Sequence, residues 1–145
     1  MYKTKLLVAT LSAAFALPVL AAEPASPHTI TGNVGFVSDY VFNGISQNYR
    51  TPALQGGFDY AHSSGLYLGT WASNISGNQY TNASMEWDVY GGYNGKVGDE
   101  LAYQVGLLQV VYPGGKAYTA TVDTYKKWDT TSLIMGATWQ GLNVK

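Results

Sequence analysis

Between residues 29 and 45 apolar and polar side chains alternate with a period of two. Ile30, Val34, Phe36, Tyr40 and Phe42 fall in one phase, and Thr31, Asn33, Gly35, Asp39 and Asn43 in the other. Successive side chains of a strand point to opposite faces, so this period predicts a β-strand with one apolar face. Residues 53–62 repeat the pattern, with Leu54, Phe58 and Tyr60 against Gln55, Gly57 and Asp59. Residues 84–93 do so again, with Met85, Trp87, Val89 and Tyr93 against Glu86, Asp88 and Gly92. A slip of one residue there would carry two carboxylates into the apolar phase, which predicts a firm register. Residues 66–75 are less regular: Tyr67, Trp71 and Ile75 share one phase, while Leu66 and Leu68 join Thr70, Ala72 and Asn74 in the other. Residues 101–111 set Leu101, Tyr103, Val105, Leu107 and Val111 against Ala102, Gln104 and Gly106, with Gln109 and Val110 as exceptions. Residues 131–139 close the series, with Leu133, Met135, Ala137 and Trp139 against Ser132, Gly136 and Thr138.

The predicted connections alternate in length. Residues 62–65, 94–100 and 140–141 are the shorter ones, and residues 43–51, 76–82 and 112–130 the longer. Outer-membrane barrels have short periplasmic turns and longer outer loops, and a strand of about ten residues rising ~3.3 Å each at a ~45° tilt spans roughly 23 Å, close to their apolar band. Tyr60, Tyr67, Tyr93, Tyr103 and Trp139 are expected on the outward phase beside the short turns, as one aromatic girdle. Tyr40 and Phe42 are expected to begin the other. The fold expected is therefore all-β: an antiparallel transmembrane β-barrel of outer-membrane type over residues 23–145, with about six to seven strands. A soluble periplasmic β-sandwich also alternates but gives no reason for tyrosines to gather at one level.

The amino terminus changes the compartment. Lys3 and Lys5 precede an apolar run over residues 6–20, and Leu20-Ala21-Ala22 ends in small residues, so residues 1–22 read as a cleaved signal peptide. The run is short for a helical span, which needs about 20 residues, and it contains Pro18. No later apolar stretch reaches that length, so entry into a membrane would have to be by strands that close on themselves. Charged residues make up 12% of the chain against about 25% in ordinary soluble domains, aromatics reach 14%, and 12 residues are tyrosine. An apolar, aromatic-bordered wall accounts for that balance, and the expected location is the outer membrane of a Gram-negative bacterium.

The chain has no cysteine, which excludes disulfides, a thiol nucleophile and thiolate metal sites. The net charge of −1 and scattered Lys and Arg offer no basic stripe for nucleic acid. Glu86 and Asp88 stand two apart on one strand face, roughly 7 Å from each other, a spacing open to a paired-carboxylate hydrolase. A pore lining is the simpler reading, so no catalytic residue, metal or other cofactor is expected. The expected lumen-lining residues are Asp39, Asp59, Glu86, Asp88, Gln55 and Gln104. Because no Lys or Arg shares that phase on the predicted strands, the lumen should prefer cations weakly. Lipid, small solutes or ions and the outer-membrane assembly machinery are the expected partners. A non-conducting scaffold or adhesion barrel, and a soluble binding sandwich, are the alternatives.

The stretch Asn33-Val34-Gly35-Phe36-Val37-Ser38-Asp39-Tyr40-Val41-Phe42-Asn43-Gly44-Ile45-Ser46-Gln47 resembles the start of the TorF-like porin family, also called Gcw_chp. The run from Pro52 to His62, then Gly69-Thr70-Trp71-Ala72-Ser73-Asn74, Glu86-Trp87-Asp88-Val89-Tyr90-Gly91-Gly92-Tyr93 and Tyr112-Pro113-Gly114, is similar to its later strands in order and spacing. The resemblance implies an outer-membrane location and a pore, with no catalytic residues. Family members are longer, and barrel chains usually end on an aromatic residue, whereas this one ends Leu142-Asn143-Val144-Lys145. Single-chain bacterial barrels have an even number of strands from eight upward, so the chain is expected to be a truncated product or a fragment.

Overall fold

The computed structural model describes residues 26–119, 124–139 and 142–144. The expected signal peptide at residues 1–22 and the turn at residues 140–141 lie outside the described residues. Among those described, the chain runs β1 (His28–Val37), β2 (Val41–Phe42), β3 (Ile45–Ser46), β4 (Ala53–His62), β5 (Leu66–Asn74), β6 (Met85–Val97), β7 (Leu101–Val111), β8 (Lys116–Thr119), β9 (Thr124–Lys127), β10 (Thr130–Trp139) and β11 (Leu142–Val144). Seven of these form one antiparallel meander in the order β1-β4-β5-β6-β7-β10-β11, and β2-β3 and β8-β9 are separate two-stranded ribbons. The bounds of β4 and β7 coincide with those read from the periodicity.

The first strand is shorter than expected. It ends at Val37, and Val41 to Ser46 fold into a hairpin of their own. The cause is local: Asn43 and Gly44 take positive φ of 49° and 81°, the geometry of a two-residue hairpin turn that Asn-Gly favours. Tyr40 and Phe42 therefore leave the sheet and do not begin an aromatic girdle on β1. The fourth long strand is longer than expected, since β6 runs on to Val97 and turns at Gly98, φ 60°. Lys96 thus sits on a strand, in the same phase as Glu86 and Asp88, contrary to the expectation that no cation would share it.

The pairing fixes which side chains share a face. Directly opposed residues point the same way, and the ladder joins Ile30 to Tyr60, Tyr60 to Leu68, Leu66 to Tyr93, Tyr93 to Val105, and Val105 to Met135. One face is consequently apolar across the sheet and largely uncovered: Val34 is 78% exposed, Phe36 73%, Phe58 67% and Met135 64%. The opposite face joins Gln55 to Ser73, Ser73 to Glu86, Gly57 to Trp71, Trp71 to Asp88, and Asp59 to Gly69.

Tyr67 and Trp71 belong to this second, polar face, so Tyr67 is not part of the aromatic row. The reason lies on the neighbouring strands, where glycines make room for rings. A side chain on Gly92 or Gly106 would meet the Tyr67 hydroxyl, and one on Gly69 would meet the Tyr90 ring. Aromatic side chains laid over strand glycines replace the packing those glycines lack.

Little of the described chain forms a core. Its buried cluster, Ile75, Ala83 and Tyr112, sits where the long connections meet, with Tyr40, Tyr80, Val110 and Trp128 packed against it. The short connections at residues 63–65 and 98–100 lie at the other end of the sheet.

Candidate functional site

The polar face is organised around Glu86, the second residue of β6, which is 5% exposed. Its two carboxylate oxygens each accept one phenol: Tyr40 Oη donates to Oε1 at 2.6 Å and Tyr112 Oη to Oε2 at 2.6 Å. A buried carboxylate without such donors would be costly. Tyr40 reaches it from the segment after β1, crossing the face of β5, where its ring meets the edge of Trp71 at 5.5 Å between centroids. Tyr112 stacks on Tyr80 at 4.4 Å, and Tyr80 donates its hydroxyl to Gln47.

The connection between β3 and β4 is held in place by its own polar side chains. Asn48, 1% exposed, accepts from the Tyr40 backbone N–H at 3.1 Å and donates to the Thr51 carbonyl. Ser76 N donates to the Gln47 carbonyl at 3.1 Å, and Lys116 N to that of Thr81 at 3.0 Å. All three long connections are thereby joined through Gln47, Tyr80, Glu86 and Tyr112 at one end of the sheet.

The other predicted lining residues are arranged differently from one another. Asp59 accepts from Tyr90 Oη at 2.6 Å, across Gly69 of the intervening strand. Asp39 lies beyond β1, off the strand on which it was expected, and accepts from Ser46 Oγ at 2.6 Å. Gln55 donates to Ser73 Oγ at 3.3 Å. Gln104 is also on the polar face, opposite Asn94 and Gly136, but towards the short turns and away from the Glu86 cluster. Asp88 differs from the other three carboxylates: its Oδ1 is shut off from solvent and has no hydrogen-bond partner.

On the apolar face Tyr60, Tyr93, Tyr103 and Trp139 lie towards the short turns, with Tyr93 and Tyr103 at 6.3 Å between ring centroids. Tyr60 bonds His28 Nδ1 at 2.9 Å. Among the described residues no group of three or more His, Cys, Asp or Glu side chains is placed to hold a metal ion. The residues that periodicity missed are Gln47, Asn48, Tyr80, Tyr90 and Tyr112, and Tyr40, expected in an aromatic girdle, is instead a partner of Glu86. Only the Asn43-Gly44 turn signal in the sequence hinted that the chain folds back before β4.

The phenols of Tyr40 and Tyr112 are pushed well above the ordinary value of 10.0, first by burial and then by their bonds to Glu86 and its charge. The folded protein thus holds two protons that the unfolded chain releases, so their contribution to stability is full below about pH 10 and is lost as pH rises beyond it. A tyrosinate absorbance titration should show a delayed ionisation accompanied by loss of near-UV circular dichroism. That delayed step should be reduced in the Tyr40→Phe/Tyr112→Phe double variant. A single titration of all tyrosines near pH 10 would contradict this.

No curated protein and no solved structure matches the chain. The model of one family, described as a bacterial protein of unknown function (Gcw_chp), matches residues 21–145. The chain, an antiparallel β-meander with one apolar and one polar face, belongs to the bacterial Gcw_chp family.

Proposed function

We propose that residues 23–145 supply part of the wall of an outer-membrane β-barrel of the TorF-like porin type, exported by a signal at residues 1–22. The apolar face would meet lipid and the polar face a water-filled path for small solutes. The observation that carries this reading is the uncovered apolar face, which continues from Ile30 and Phe36 through Phe58 and Leu107 to Leu133 and Met135. Water tolerates such a surface poorly, whereas a bilayer solvates it. The long strands, 9 to 13 residues each, match the length needed to cross. Tyr60, Tyr93, Tyr103 and Trp139 lie where an interfacial girdle belongs.

The path would favour cations weakly, through Asp39, Asp59 and Asp88, while Glu86, expected to line it too, is buried and capped by two phenols. Lys96 is exposed at the short-turn end and opposes this only there. The reading assigns no catalysis and no cofactor. The assembly machinery of the outer membrane would be a partner in biogenesis.

After expression with its leader, the mature chain should appear in the outer-membrane fraction and show heat-modifiable mobility on gels. In planar bilayers a full-length relative or a completed chain should give conductance with a cation-directed reversal potential across a salt gradient. Recovery as soluble periplasmic protein sinks the membrane reading. A second reading, a non-conducting membrane scaffold, is favoured by the Tyr40 segment folded across the polar face. Membrane insertion without conductance would select it.

A further inference from the structure

We infer that the groove between the Tyr40 segment and the polar face is a binding site for a small organic ammonium ion. The groove has a volume of about 590 Å³, and its walls include Asp39, Asp88, Gln55, Tyr40, Trp71 and Tyr90. Among the described residues no Lys, Arg or His lines it. Its charge is therefore negative and its wall combines three aromatic rings with aliphatic side chains, a combination that complements a cation carried on an apolar body.

Two features separate this groove from an ordinary acidic surface. The first is the state of Asp88. Glu86, Asp59 and Asp39 each accept at least one hydroxyl, whereas Asp88 keeps one sequestered oxygen with no donor. A positive charge in the groove would offset a carboxylate that the protein leaves under-compensated. The second is that the rings are held before any ligand arrives. Tyr40 is tied to Glu86, Tyr90 to Asp59, and Trp71 is set against the Tyr40 ring. Trp71 is also the direct cross-strand partner of Asp88, which puts indole and carboxylate side by side. A pre-arranged aromatic wall binds a cation without further ordering of side chains.

A divalent metal is a poorer occupant, since it favours several charged or imidazole ligands converging on one point, and among the described residues no group of three or more His, Cys, Asp or Glu side chains is placed to supply them. Ammonium binding needs only the field of the carboxylates and the faces of the rings. The inference rests on the proposed pore only for the route by which the ion arrives. In that setting the groove would select organic cations along the path.

The test uses the full chain folded in detergent micelles, titrated with tetramethylammonium chloride by calorimetry and by tryptophan fluorescence. Sodium chloride and magnesium chloride at equal ionic strength are the controls. Saturable binding of tetramethylammonium alone is expected, weakened about tenfold or more by Asp88→Asn and severalfold by Trp71→Leu. Gel mobility reports folding of each variant. Should Trp71→Leu not fold, Trp71→Phe is expected to give a smaller loss. Absence of saturable binding, equal response to sodium, or affinity unchanged in both variants overturns the site. Binding is read without a bilayer, so a completed chain that conducts but does not bind overturns the site alone. A completed chain that binds but does not conduct supports the site and overturns the pore.

Discussion

Replacing Glu86 by alanine is expected to destabilise the chain by about 3 to 5 kcal/mol, because a buried and a half-buried hydroxyl donor lose their acceptor at once. Tyr40 and Tyr112 approach Glu86 from different connections, and each donates to one of its two oxygens. Each would keep its desolvation cost of roughly 1 to 3 kcal/mol without the bond that offsets it. The Tyr80–Tyr112 stack and the Gln47 contact depend on the same arrangement, so the loss should spread through the three connections. Glu86→Gln keeps the volume and one carbonyl acceptor and should cost about half as much. Urea unfolding in micelles, followed by near-UV circular dichroism, measures both. A Glu86→Ala midpoint equal to that of the parent would show that the cluster contributes nothing to the fold.

Val89→Arg is expected to cost about 2 to 4 kcal/mol in lipid vesicles, the range for a cation near mid-membrane on the lipid face of a barrel. Val89 lies on the apolar face, opposed by Thr70 and Gln109, and is 37% exposed. Asp88→Asn, one residue away on the polar face, should cost far less because it adds no charge to the lipid side. The comparison discriminates strongly between environments: an arginine on a water-exposed strand face usually changes stability by no more than about 0.5 kcal/mol. Refolding titrations in vesicles provide the measurement. Similar small costs at both positions would show that the apolar face is not in lipid.

Much of the sheet was determined by the order of residues alone. A strand's side chains alternate whatever surrounds it, so Leu54 to Tyr60 and Leu101 to Leu107 declared both their strands and their faces. The alternation also kept Glu86 and Asp88 in one phase. Residues 66–75 did not declare a face, because apolar side chains occupy both phases there. Only the ladder, which pairs Trp71 with Gly57 and Asp88, put Tyr67 and Trp71 on the polar side.

The early end of β1 was available in Asn43-Gly44, a local turn signal that the long alternation outweighed. The carboxylate cluster was not available locally at all. Glu86 lies 46 residues from Tyr40 and 26 from Tyr112, and periodicity carries no information about partners at such separations. Nor does it reveal that Asp88 remains without a donor while Asp59 acquires one. Those outcomes depend on which strands became neighbours and on glycines that let Tyr90 cross above Gly69. Local alternation determined the strands and most of their faces, while the pairing of distant strands decided which polar groups met, because a hydrogen bond requires a partner within reach in space.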